Sequence, residues 1–208
     1  KISLQKQDLN SNLDKLKNQF DNASEDIKLR FEDKVNKIQQ GDDLLPTVMK
    51  VVKVFVAVKR SLKPGDKAPA FEGINQDGNP IKLSDFAGKK LVLYFYPKDN
   101  TPGCTAQACN LRDNYEAMLN AGYAVVGISS DSAKKHTNFI KKFDLPFPLI
   151  ADEDKSIHEQ FGTWVEKQMY GRKYMGTART TFVIDENGVI QEIIEKVNTK
   201  EHASQILK

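Results

Sequence analysis

The chain has 208 residues, 39% of them hydrophobic and 28% charged, and a net charge of +3. This is the composition of a soluble globular chain, one domain with an appendage or two small domains, and its net charge is too small to argue for a nucleic-acid partner. No apolar run approaches the roughly 20 residues of a membrane span, and KISLQKQDLN at the start has no hydrophobic core of the secretory kind.

Residues 4–40 are polar and lysine-rich, with Leu9, Leu13, Leu16, Phe20, Ile27, Phe31, Val35 and Ile38 spaced at helical intervals. This predicts an amphipathic helix or helical hairpin. After GDDLLP, the β-branched run VMKVVKVFVAVKR reads as a strand. From Leu62 the pattern changes. NQDG (75–78) and DENG (185–188) carry turn residues between strand-like runs. LVLYFY (91–96), AVVGIS (124–129) and TTFVI (180–184) are short apolar runs suited to buried central strands. Helical patterns at 102–120, 133–143, 157–161 and 200–207 alternate with them, which predicts an α/β sandwich with a mixed sheet.

The two cysteines, Cys104 and Cys109, lie five positions apart in FYPKDNTPGCTAQAC. They are too few to form a disulfide scaffold, and in a reducing compartment such as the cytoplasm they read as chemical groups. Thr101 has the side chain of an N-cap and Pro102 the geometry of a first helical residue. Cys104 therefore falls in a first turn, where free amides and the helix dipole favour a thiolate. On a regular helix, residues five apart have Cα atoms about 8.6 Å apart, beyond the ~7 Å limit for a disulfide. A Cys104–Cys109 bond thus requires the helix to open. Two buried core cysteines remain the bland alternative. A thioredoxin-type oxidoreductase would need C-x-x-C, which is absent. His136, His158 and His202 are scattered without metal spacing, so each reads as a surface residue or one behind the site, and no metal or cofactor is expected. Lys134, Lys135, Lys141 and Lys142 read as a solvated helix face. Trp164, Met169, Tyr170 and Tyr174 read equally well as loop packing.

Pro97, Thr101 and Cys104 reproduce the P-x-x-x-T-x-x-C signature of peroxiredoxins. FYPKDNTPGCTAQACNLRD closely resembles the bacterioferritin-comigratory, or PrxQ, type, and GDKAPAFEGINQDG, SSDSAKKH, FPLIADED and GTARTTFVIDENG follow that family in order. The resemblance covers residues 62–208 and implies a thioredoxin-like fold that reduces hydrogen peroxide and organic hydroperoxides. By position, Cys104 would be the peroxidatic thiolate, Thr101 a hydrogen-bonding partner of peroxide and thiolate, Pro97 a shield for the site, and Arg179 the cation stabilising both. Cys109 would resolve the sulfenic acid as an intramolecular disulfide, reduced by thioredoxin or a similar dithiol protein. Gln107 stands where the subfamily often has an acidic residue. In the family, the segment GTWVEKQMYGRKYMG lies near the active site. No nucleic acid or membrane partner is implied.

Residues 1–61 are an addition to this pattern. With the residues up to Lys67, they resemble a stretch of the bacterial RNA polymerase β subunit through GDDLLPTVMKVVKVFVAVKRSLKPGDK. The two texts meet at PGDK as in a chimera, whether by natural fusion, design or mis-assembly. An N-terminal module directing binding to a partner is the alternative function this raises.

Overall fold

A computed structural model of the chain describes residues 62–169 and 171–208. The helix and strand expected before residue 62, and Tyr170, lie outside the described residues. In chain order the elements are β1 (Glu72–Ile74), β2 (Pro80–Lys82), a 3-10 turn (Leu83–Phe86), β3 (Lys90–Phe95), α1 (Pro102–Asp113), α2 (Tyr115–Asn120) and β4 (Tyr123–Ser129). They continue with α3 (Ala133–Phe143), β5 (Leu149–Ala151), α4 (Ser156–Gln160), β6 (Trp164–Met169), β7 (Arg172–Thr177), β8 (Thr180–Ile184), β9 (Ile190–Ile194) and α5 (His202–Ile206).

The central sheet has the order β5-β4-β3-β8-β9. β3 runs parallel to β4 and antiparallel to β8, so the sheet is mixed, as expected. β3 explains why its sequence is a continuous apolar run. Side chains alternate across a strand, and both faces of this one are covered. Val92, Tyr94 and Tyr96 meet α1, α3 and α5 on one face, while Leu91, Leu93 and Phe95 meet Phe71, Ile157, Phe161 and Phe182 on the other. Gly127 on β4 is required by this packing, because a β-carbon there would stand 2.7 Å from the Tyr94 ring and 2.6 Å from Leu149.

Three expectations are corrected. The helix expected over 102–120 is broken at Asn114, whose backbone leaves the helical region (φ −110°, ψ 13°) while its side-chain amide donates to the Asn110 carbonyl at 2.8 Å. Such local side-chain bonds compete with helix continuation. The segment GTWVEKQMYGRKYMG contains the β6–β7 ribbon, a separate two-stranded sheet in which Tyr174 and Met175 are each 44% exposed. All three histidines are buried, so none is a surface residue. The four lysines of α3 are exposed, as the sequence predicted.

Candidate active site

The site begins where β3 ends. The loop 97–101 turns into α1 through Asn100, which adopts a left-handed conformation (φ 56°) that Asn tolerates better than most residues. Asp99 anchors this loop from within. Its amide donates to Asp131 Oδ2 (2.8 Å), Oδ1 accepts from the Tyr96 hydroxyl (2.7 Å), and Oδ2 lies 2.8 Å from His136 Nδ1. His136 Nε2 faces the Ile150 carbonyl at 3.1 Å, so an oxygen fixes the ring on each side. Burial, with Tyr94 and Asp99 acting in the same direction, raises the Tyr96 phenol well above its ordinary range and keeps its proton for Asp99.

α1 presents Cys104, Gln107, Ala108 and Leu111 to the core, the i, i+3, i+4, i+7 face of a helix. Cys104 is only 2% exposed. Cys109 lies off that face and is partly exposed, and both thiols are free. Thr105 closes the first intrahelical bond, to the Thr101 carbonyl at 2.8 Å. The amides of Gly103 and Cys104 therefore have no carbonyl within the helix, leaving donors beside the sulfur. Thr101 is the N-cap residue and Pro102 opens the helix, but the Thr101 side chain makes no cap bond. It donates instead to the Lys98 carbonyl at 3.0 Å, a local turn that competes with capping. No Thr101–Cys104 hydrogen bond is present among the described residues. Pro97 is half-buried between Tyr96 and this turn.

Arg179 comes from the two-residue connection between β7 and β8. Its Nη2 donates to Cys104 Sγ at 3.2 Å, and its Nη1 donates to Gln107 Oε1. The guanidinium lies over the first turn, 3.5 Å from where a β-carbon at Gly103 would stand. The fold thus brings Cys104 and Arg179 together from 75 residues apart and keeps Cys109 on the same helix. Buried Gln107 leaves its Nε2 without a hydrogen-bond partner among the described residues, as does the Tyr94 hydroxyl.

Sequence reasoning missed the groups that hold Arg179. Two residues before it, Thr177 Oγ1 lies 3.0 Å from His158 Nε2, and His158 Nδ1 lies 2.5 Å from Asp152 Oδ2. Burial pushes the Asp152 carboxyl up, but hydrogen bonds from His158 and the amides of His158 and Ile157 outweigh it and hold it below the ordinary carboxylate range. Two residues after it, Thr181 Oγ1 lies 2.9 Å from His202 Nε2. Burial lowers His202 below the ordinary histidine range, with Arg179 acting in the same direction and Gln205 opposing. The arginine is therefore bracketed by two threonines, each tied to a buried histidine. Of these partners only Asp152 lay in a motif, FPLIADED, while SSDSAKKH carries Asp131 and His136, which hold Asp99. Among the described residues no cluster of His, Cys, Asp and Glu is arranged to hold a metal. A cavity of about 560 Å³ lies at the opposite end of β3, lined by Phe71, Phe86, Leu91 and Ile184, away from the thiols.

A buried thiol under a fixed guanidinium, at the start of a helix that carries a second thiol on a thioredoxin-like sheet, defines a thiol-dependent peroxidase. Residues 64–193 match the AhpC/TSA family. The putative peroxiredoxin bcp of Coxiella burnetii is 46% identical over 147 residues, 71% of this chain and 97% of that protein, and peroxiredoxin Bcp of Escherichia coli is 45% identical over 146 residues, 70% and 94%. Peroxiredoxin Q of Xanthomonas campestris superposes with a TM-score of 0.63 at 36% identity, covering 66% of this chain and 87% of that one. BcpB of Mycobacterium tuberculosis superposes with a TM-score of 0.63 at 34% identity, covering 70% and 94%. The chain belongs to the AhpC/TSA family and is a peroxiredoxin of the bacterioferritin-comigratory type.

Proposed function

We propose that Cys104 is the peroxidatic thiol and Cys109 the resolving thiol of a cycle contained in one chain. The observation that carries this reading is the Arg179 Nη2–Cys104 Sγ contact in the first turn of α1. The thiolate attacks the outer oxygen of ROOH, the O–O bond breaks, and the departing RO⁻ takes a proton to leave as alcohol or water. Cys104 becomes a sulfenic acid. Arg179 and the free amides of Gly103 and Cys104 stabilise charge on sulfur and on the oxygens during this transfer. Thr101, whose proton is engaged by the Lys98 carbonyl, has lone pairs left to accept from the peroxide O–H. Pro97 shields the sulfur from water.

Cys109 then attacks the Cys104 sulfur, water leaves, and the disulfide forms as the start of α1 unwinds. A dithiol reductant restores both thiols by exchange and carries away the oxidising equivalents. Thioredoxin or a protein like it fits that role. Hydrogen peroxide and organic hydroperoxides are the proposed substrates, since the X. campestris bacterioferritin comigratory protein, at 35% identity, is known for alkyl peroxide reduction. The cytoplasm supplies the reducing compartment this cycle needs. In this reading residues 62–208 form the peroxidase domain, and residues 1–61 are an extension whose likeness to RNA polymerase β rests on sequence alone. The comparisons lend no support to an N-terminal binding module as the main function.

Cys109→Ser tests the division of labour. Treated with one equivalent of hydrogen peroxide and dimedone, this variant is expected to carry the adduct on the peptide containing Cys104, while the wild type gives a Cys104–Cys109 disulfide within one chain. No adduct on Cys104, or a wild-type disulfide only between chains, would contradict the cycle.

A further inference from the structure

Lys167 lies on β6 opposite Tyr174 of β7. It is half-buried, unlike its exposed neighbours Glu166 and Gln168. Its ammonium donates to the Thr177 carbonyl at 2.5 Å, two residues before Arg179. The stem reaches that carbonyl by passing over Gly176, where a β-carbon would stand 3.5 Å from Lys167 Cδ. Glu166 and Lys173 pair with each other at 3.1 Å on the opposite face of the ribbon. Among the described residues no carboxylate pairs with Lys167. A half-buried cation calls for a partner, and the one this ammonium has is the Thr177 carbonyl. Burial pulls Lys167 below the ordinary lysine range and the Arg179 charge pulls in the same direction, whereas Cys104 opposes both.

Resting on the reading of Cys104 as the reacting thiol, we propose that Lys167 is a positioning residue of the peroxidase site, which holds the carbonyl of Thr177 and with it the short connection that carries Arg179 to Cys104. Lys167 makes no bond to the sulfur, so it acts through the backbone that carries Arg179.

The test uses the full chain in a Cys109→Ser background, where Cys104 is the one thiol, and follows single-turnover oxidation by hydrogen peroxide against pH together with thiolate absorbance. Lys167→Met is expected to lower the second-order rate constant near neutral pH by about fivefold, as the guanidinium loses part of its fixed position over the sulfur. The rate and absorbance midpoints should move together to higher pH, with the rates converging at alkaline pH. Lys167→Arg restores most of the loss. A Lys167→Met profile superimposable on its parent, or an arginine variant as slow as the methionine one, overturns the proposal. If Lys167→Met does not fold, Lys167→Gln carries the same comparison. Failure of the underlying reading is separate: the Cys109→Ser parent, with Lys167 intact, would then consume no peroxide.

Discussion

Cys104→Ser is expected to reduce peroxide turnover to background with any reductant. A serine hydroxyl is not ionised near neutral pH and cannot accept the peroxide oxygen as a sulfenic acid, so no amount of reductant restores the cycle. The substitution is nearly isosteric at a site 2% exposed. A small change in melting temperature alongside complete loss of activity would therefore separate chemistry from folding. Cys109→Ser should differ in kind, with one rapid oxidation followed by arrest. Full activity in Cys104→Ser, measured by peroxide consumption with thioredoxin and its reductase, would remove this residue from the reaction.

Arg179→Ala is expected to lower the second-order rate constant for hydrogen peroxide by about a hundredfold, the usual scale for loss of one fixed donor at a developing charge. The sign of the pH effect follows from the contact. Removing the cation 3.2 Å from Sγ destabilises the thiolate, so the rate profile must move to higher pH. The change also strips Gln107 of the donor to its carbonyl oxygen, which leaves both ends of a buried amide unpaired. Arg179→Lys keeps the charge but cannot span sulfur and amide together, so it should recover only part of the rate. A stopped-flow rate constant unchanged in Arg179→Ala would contradict the assignment.

Much of this was legible in the sequence because the physics is local. β3, β4 and β8 announce themselves as apolar runs, since a central strand covered on both faces has no polar alternation to display. The start of α1 was readable from Thr101 and Pro102, and the spacing of the cysteines already required the helix to open. The β6–β7 ribbon escaped notice because β7 is exposed over most of its length and shows no alternation. The buried histidines escaped for another reason. Each finds its partner across the fold, His136 at Asp99 from 37 positions away and His158 at Thr177 from 19, and a single sequence shows no such pairing. The Gln107–Arg179 bond spans 72 positions and was equally hidden. Thr101 was read correctly as the N-cap, but its hydroxyl follows the closer Lys98 carbonyl.

For the thiols to meet, α1 must open between two fixed points. Ahead of Thr101 stands the Asp99–His136 anchor. Just past Cys109 the Asn110 side chain donates to the Lys200 carbonyl and accepts the Ala203 amide, each at 2.8 Å, which ties the helix to the start of α5. Cys104 faces the core and Cys109 does not, so the disulfide cannot close over the intact turn. Amide hydrogen exchange of the reduced and peroxide-oxidised protein, read residue by residue, measures this directly. Oxidation should strip protection from the amides of residues 105–109 while β3 and the rest of the central sheet stay protected. Equal protection of α1 in the two forms, with the Cys104–Cys109 disulfide confirmed by mass spectrometry, would contradict it.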